Sequence, residues 1–169
     1  MLAHLLRSDE PLTFEGKHYS FHEAVLLPRP QHRVPIVIGG SGRQVTLPLV
    51  AKYADEWNSG GKSPEDFREI NGYLDELLDK AGRPRESVKR SMMLFLRFGR
   101  DQRELDAKLA AQPVSEFLQR STLAVTPEPL RQRIGALEAA GVQRVMLNWR
   151  DDYDDVDGIA ALGQAVIGG

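Results

Sequence analysis

The sequence predicts an α/β fold built on parallel strands, and three observations carry the prediction. Short apolar runs alternate about four times with amphipathic stretches of helical period. That order puts parallel strands into one sheet, joined by right-handed helical crossovers. Two short alternating runs around Glu15 and Gly16 come first and read as a β-hairpin. The 169 residues suit one domain, and 41% hydrophobic with 27% charged residues is the balance of a globular chain with a real core.

Leu2, Leu5 and Leu6 have helical spacing but meet Pro11 almost at once, as the last turns of a helix or a frayed terminal turn would. Residues 12–14 and 18–21 are the hairpin strands. Residues 28–35, PRPQHRVP, hold three prolines and form an extended linker. Residues 34–38 are a β-branched buried strand. After Gly39-Gly40-Ser41-Gly42 comes a helix carrying Val45, Leu47, Leu49, Val50, Tyr53 and Ala54. Pro48 lies inside it, so the helix either starts late, with Thr46 as N-cap, or kinks. Residues 54–58 are a short strand and 59–62 a loop. Ser63-Pro64-Glu65-Asp66 is a helix start, with a hydroxyl cap, a proline at the first position and an acid three residues on. Phe67, Ile70, Leu74, Leu77 and Leu78 mark its apolar face, and Gly82 with Pro84 stops it. Residues 88–98 form the next strand, 101–111 a helix, and 114–125 another short helix. Thr126 caps a helix carrying Leu130, Ile134 and Leu137, which Gly141 closes. Residues 142–149 are a strand, 151–157 an acidic loop, and a last helix runs to about residue 167.

Composition narrows the function classes. The formal net charge is -2 with no basic stripe, which argues against a nucleic-acid partner. With no cysteine there is no disulfide, thiolate nucleophile or thiolate metal site, a usage that fits a reducing cytoplasm. The apolar N-terminus is too short for a signal-peptide core, and no run approaches a membrane span. His4, His18, His22 and His32 lack metal-ligand spacing on a credible element, so no metal is expected and no general base is assigned. Asp151, Asp152, Asp154 and Asp155 lack the glycine and terminal glutamate of a calcium loop and read as solvated.

The informative stretch is IVIGGSG, residues 36–42, followed by a helix. Glycines let main-chain N–H groups approach an anion, and the helix aims its positive end at the same place. Strand, glycine turn and helix together make a phosphate cradle; the alternative is a tight turn with no ligand. A Rossmann dinucleotide site fails on spacing, because the sixth position from Gly40 is Val45 and Asp55 comes too early.

The segment PRPQHRVPIVIGGSGRQVTLPLVAKYADEWN resembles the middle of luciferase-like oxidoreductases that use the deazaflavin coenzyme F420. AGRPRESVKRS and GALEAAGVQRVML resemble that family's next helix-to-strand junction and its last helix and strand. The resemblance runs from about Leu12 to Ile167. It implies a (β/α)8 barrel, which takes about 250 residues; by motif order this chain supplies about the last four βα units. It implies F420-dependent hydride transfer to or from a small organic substrate, with FMN as the alternative cofactor. The family's substrate-facing and proton-donating side chains come largely from the other half, so this chain is expected to be inactive alone. A non-catalytic flavin-binding or structural half-barrel is the rival of another class.

The resemblance gives Gly39, Gly40, Ser41 and Gly42 to the cofactor phosphate as main-chain and hydroxyl donors. Asn58, at a strand's C-terminal end, and Lys62, in the following loop, join them as polar candidates. Lys62 and Arg43 read equally as solvated side chains, and Trp57 either packs beside the cofactor ring or is core. A half-barrel also has two open strand edges and an inner face expected to be apolar, with Val34, Ile36, Ile38, Met92, Leu94, Leu96, Val145 and Leu147 as candidates. Two copies meeting edge to edge would close one barrel, so a homodimer is expected; the alternative is a monomer whose leading hairpin and first helix fold over the open edge.

Overall fold

The computed structural model describes residues 1–119, 121–151 and 154–167. Helix α1 (Leu2–Arg7) leads into an antiparallel hairpin of β1 (Leu12–Glu15) and β2 (Ser20–Ala24). Arg7 reaches Asp55 at 2.6 Å; Asp55 also accepts from the Ile36 N–H at 2.8 Å and pairs with Arg33, which ties the leading segment to the sheet. His18 and Tyr19 fall in the hairpin turn and not in its second strand.

The main sheet is wholly parallel and has five strands: β3 (Val37–Gly39), β4 (Glu56–Asn58), β5 (Lys89–Phe98), β6 (Thr122–Val125) and β7 (Arg144–Trp149). β3 pairs with β4, β4 with β5, and β5 with both β6 and β7. Bonds to Lys89, Ser91, Phe95 and Gly99 come from β4 and β6 and their flanks; those to Arg90 and Leu96 come from the flanks of β7. Successive residues of a strand turn their main-chain groups to opposite edges. β4 and β6 therefore share one edge of β5, end to end, and β7 holds the other. The four-strand core order is β3-β4-β5-β7, the arc of a barrel wall, with β6 added beyond the end of β4.

Helices α2 (Thr46–Tyr53), α3 (Pro64–Lys80), α4 (Gln102–Ala111), α5 (Glu116–Gln119), α6 (Pro127–Ala139) and α7 (Val156–Ile167) connect or follow the strands. α3 starts as its sequence dictates: Ser63 Oγ accepts the Asp66 N–H at 3.0 Å, and Pro64 takes the first position. It ends in a Schellman motif, with Gly82 N–H on the Asp79 carbonyl and Arg83 N–H on that of Leu78. α6 ends the same way through Gly141 and Val142.

Four sequence expectations are corrected. Residues 34–36 stay outside the strand, which starts at Val37; Ile36 serves instead as the main-chain anchor of Asp55. Residues 114–125 hold only the single turn α5 before β6, an extra strand paired along residues 95–98 of β5. Thr46 is the first helical residue of α2, with Val45 at the cap position, so Pro48 sits in the first turn, where its missing N–H costs no bond. Thr126 stands at the N-cap of α6, but its side chain makes no capping bond.

The largest correction concerns the two sheet faces. Side chains at paired positions share a face and alternate along each strand. Ile38, Trp57, Met92, Leu94, Leu96, Leu123, Val145 and Leu147 lie on the face packed by helices and belong to the two apolar clusters. The opposite, helix-free face carries Val37, Glu56, Asn58, Lys89, Ser91, Met93, Phe95, Arg97, Arg144, Met146 and Asn148. Of the expected apolar inner set, Ile38, Met92, Leu94, Leu96, Val145 and Leu147 are therefore outer core, Val34 and Ile36 lie outside the strand, and the inner face is largely polar. Glu56 and Arg144 pair across it at 3.3 Å, bridging over β5. Helices bury one face of each strand, and the polar groups collect on the other.

Candidate functional site

Main-chain geometry defines the turn after β3. Gly40 has φ +110, a conformation that a side chain strains, so glycine is required there. Its N–H donates to the Asn58 carbonyl at 2.9 Å, and its carbonyl accepts from Trp57 Nε1 at 2.7 Å. These two bonds fix the turn from below. Above it, among the described residues, no protein acceptor stands against the N–H groups of Ser41, Gly42 or Arg43. They precede the N-terminus of α2 at the surface, where the helix dipole adds positive potential. Gly39 ends β3 on the helix-free face, and a Cβ placed there would meet nothing within 4 Å. Exposed N–H groups, a bare backbone and a helix start are the donor set that an anionic oxygen needs.

The other candidates divide. Asn58 lies on the helix-free face beside Gly39; its Nδ2 donates to Ser91 Oγ at 3.3 Å and its Oδ1 accepts from Gly60 N–H at 3.4 Å. Ser41 spends its hydroxyl proton on the Ser59 carbonyl at 2.9 Å, so toward a ligand it offers its N–H and an oxygen acceptor. Lys62 is half-buried, and its ammonium has no ion-pair partner among the described residues. Its carbonyl accepts from Arg133 at 2.8 Å, which pins the loop to α6. Arg43 leaves the cradle: it pairs with Glu69 and lies over the Tyr73 ring at 5.1 Å. Trp57 is core, fully buried and stacked on Phe67 with centroids 5.5 Å apart.

Sequence reading passed over a charged cluster at the far ends of β5 and β7. Arg97, 8% exposed, donates to the carbonyls of Lys108 and Gln112, at 3.0 and 3.1 Å, and to that of Arg150 at 3.0 Å. Its Nε lies 2.9 Å from Asp151 Oδ1, an electrostatic contact whose angle is poor for a hydrogen bond. Asp151 also accepts from the Phe98 N–H at 2.8 Å. Lys108 binds Glu104 at 2.9 Å and Asp155 at 3.0 Å and sits over the Trp149 ring at 5.4 Å. The signal available in sequence was an arginine inside an apolar strand. Within the acidic run, Asp151 is buried against Arg97 and Asp155 is a partner of Lys108, so neither is merely solvated; Asp152 lies outside the described residues. Among the described residues, no helix is long and apolar enough to cross a membrane, and no group of three or more histidine or acidic side chains is arranged to hold a metal.

Parallel strands, a one-sided helical layer and a glycine turn at a strand's C-terminal end are the arrangement of part of a (β/α)8-type barrel wall. The luciferase-like monooxygenase family model matches residues 1–165, and the chain belongs to that family. It is 30% identical over 146 residues to an F420-dependent glucose-6-phosphate dehydrogenase of Nakamurella multipartita, covering 85% of this chain and 40% of that protein. A protein of the same description from Microbacterium testaceum is 40% identical over 85 residues, 49% of this chain and 25% of its own. The chain thus spans less than half the length of these curated relatives. Among solved structures, an F420-dependent secondary alcohol dehydrogenase in complex with an F420-acetone adduct superposes with a TM-score of 0.78 at 19% identity, covering 98% of this chain and 57% of that one. The coenzyme F420 dependent tetrahydromethanopterin reductase of Methanopyrus kandleri gives 0.77 at 18% identity, covering 99% and 60%. These superpositions identify the fold as part of a luciferase-like barrel.

Proposed function

We propose that this chain forms the cofactor-phosphate side of an F420-dependent oxidoreductase that moves hydride between the deazaflavin and a small organic substrate. The observation that carries the reading is the Gly39–Gly42 turn, with surface N–H groups free to donate and a bare backbone at Gly39. The F420-dependent relatives support the choice of cofactor. In this reading the N–H groups of Ser41 and Gly42 hold phosphate oxygens, Gly39 and Gly40 give the backbone its close approach, Lys62 adds a point charge and Asn58 a polar contact. The bound cofactor supplies the hydride chemistry; these residues bind and orient it. No catalytic side chain is assigned.

The test is a fluorescence titration of F420 into the chain, with FMN as competitor. Valine at Gly40 strains the φ +110 backbone and sets a Cβ 3.3 Å from Thr46 Cγ2. Gly40→Val is expected to bind F420 at least tenfold more weakly with an unchanged circular-dichroism spectrum, and FMN is expected to compete poorly. Equal affinity of wild type and variant would show that the turn holds no phosphate.

A further inference from the structure

We propose that the cavity at the C-terminal ends of β5 and β7 binds a small organic carboxylate with an apolar body, anchored by Arg150. The cavity has a volume of about 570 Å³, and its wall includes Arg97 and Thr122, which the strand register places on the helix-free face. Arg150 also lines this wall. Among the described residues its guanidinium has no carboxylate partner, and it lies over the Phe95 ring with 5.3 Å to the centroid. Arg97 is spent, because its nitrogens bond main-chain carbonyls and Asp151 neutralises its charge. Among the described lining residues, one unneutralised arginine therefore stands at the cavity, over an aromatic ring.

The guanidinium N–H groups of Arg150 bond no protein acceptor among the described residues, and their fork matches one carboxylate through two parallel hydrogen bonds. A phosphate dianion would call for a second free cation, and the described lining residues offer none. The hydroxyls of Ser115 and Thr122 line the cavity without a side-chain partner among the described residues, and Val114 and Leu118 give it an apolar wall. A planar acid with a hydrocarbon body satisfies all of these groups together. The cavity is also separate from the glycine turn. Gly39 stands level with Ser91 through β4, whereas the nearest strand residue of the lining, Thr122, stands level with Phe95, four residues further along β5 and so about 13 Å along the strand. The proposal does not depend on the cofactor reading.

The experiment titrates benzoate into the chain without cofactor, followed by calorimetry and amide chemical shifts. Benzyl alcohol supplies the same body without the charge, and inorganic phosphate supplies charge without the body. Benzoate is expected to saturate at least tenfold more tightly than either, with the shifts centred on Thr122 and Arg150. Arg150→Gln is expected to lose at least tenfold in benzoate affinity, and Arg150→Lys to fall between, since it keeps the charge and loses the fork. Thermal melts of both variants establish that they fold, and Thr122→Val gives an independent weakening should the Gln variant melt early. Absence of saturable benzoate binding, equal binding of benzyl alcohol, tighter binding of phosphate, or indifference to Arg150→Gln would each overturn the proposal.

Discussion

At Trp57, core packing and site shape are one interaction. The indole is fully buried against Phe67, and its Nε1 donates to the carbonyl of Gly40, so the core holds the cradle's backbone directly. Lys108 plays a similar part at the other end of β5, gathering Glu104, Asp155 and the Phe98 carbonyl around one ammonium. Glu104 records this in its acidity. Arg100 above all, and Lys108 against the opposing effect of burial, hold its carboxyl down to about 2, from an ordinary value of 4.5. A carboxylate with a lowered folded pKa adds stability that is fully present above its unfolded value and is lost as pH falls through the folded one. Urea melts between pH 5 and 2 should therefore show a steeper loss for wild type than for Glu104→Gln. Parallel losses would mean that the cluster contributes nothing through this group.

Among the elements, α3 is the one whose local chemistry and tertiary role agree most fully. Its cap, proline, apolar face and glycine stop were all legible, and Phe67, Leu74 and Leu78 are fully buried against the sheet. Removing the Ser63 hydroxyl strips the Asp66 N–H of its acceptor. Ser63→Ala should cost about 1 kcal/mol, a drop of roughly 2–4 °C in Tm for a chain of this size. A Tm unchanged within 1 °C by calorimetry would mean that water replaces the cap at no cost. β6 behaves in the opposite way. Its four residues have too little pattern to announce a strand, and they become one because the upper edge of β5 stands unpaired beyond the end of β4.

For the whole molecule, open strand edges and a polar inner face set the assembly. Among the described residues, the outer edges of β3 and β7 have no strand partner, and open parallel edges recruit other strands. Two copies meeting through these edges would extend the four-strand core to eight about a two-fold axis. The enclosed face would hold the Glu56–Arg144 pair, Asn58 and Asn148 together with Met93 and Met146, a wet interior and not a second dry core. We predict a dimer on this ground. Sedimentation equilibrium at micromolar concentration decides it, and a folded monomer across the whole range would rule it out.

The sequence by itself determined the order of elements apart from β6, the glycine turn and the family. These are local or periodic signals: a cap, a stop, a run of β-branched residues, a Gly-Gly-Ser-Gly at a strand end. Trp57 and Arg43 stayed ambiguous because a side chain's direction depends on register, which no single segment carries. The same holds for the sheet faces. An apolar strand residue reads alike whether it packs under helices or fills a barrel, and only the pairing of β3, β4, β5 and β7 placed Ile38, Met92 and Leu147 on the helical side. Arg97 lies 53 or more residues from Arg150 and Asp151 across that pairing, so their meeting was decided by the tertiary structure alone.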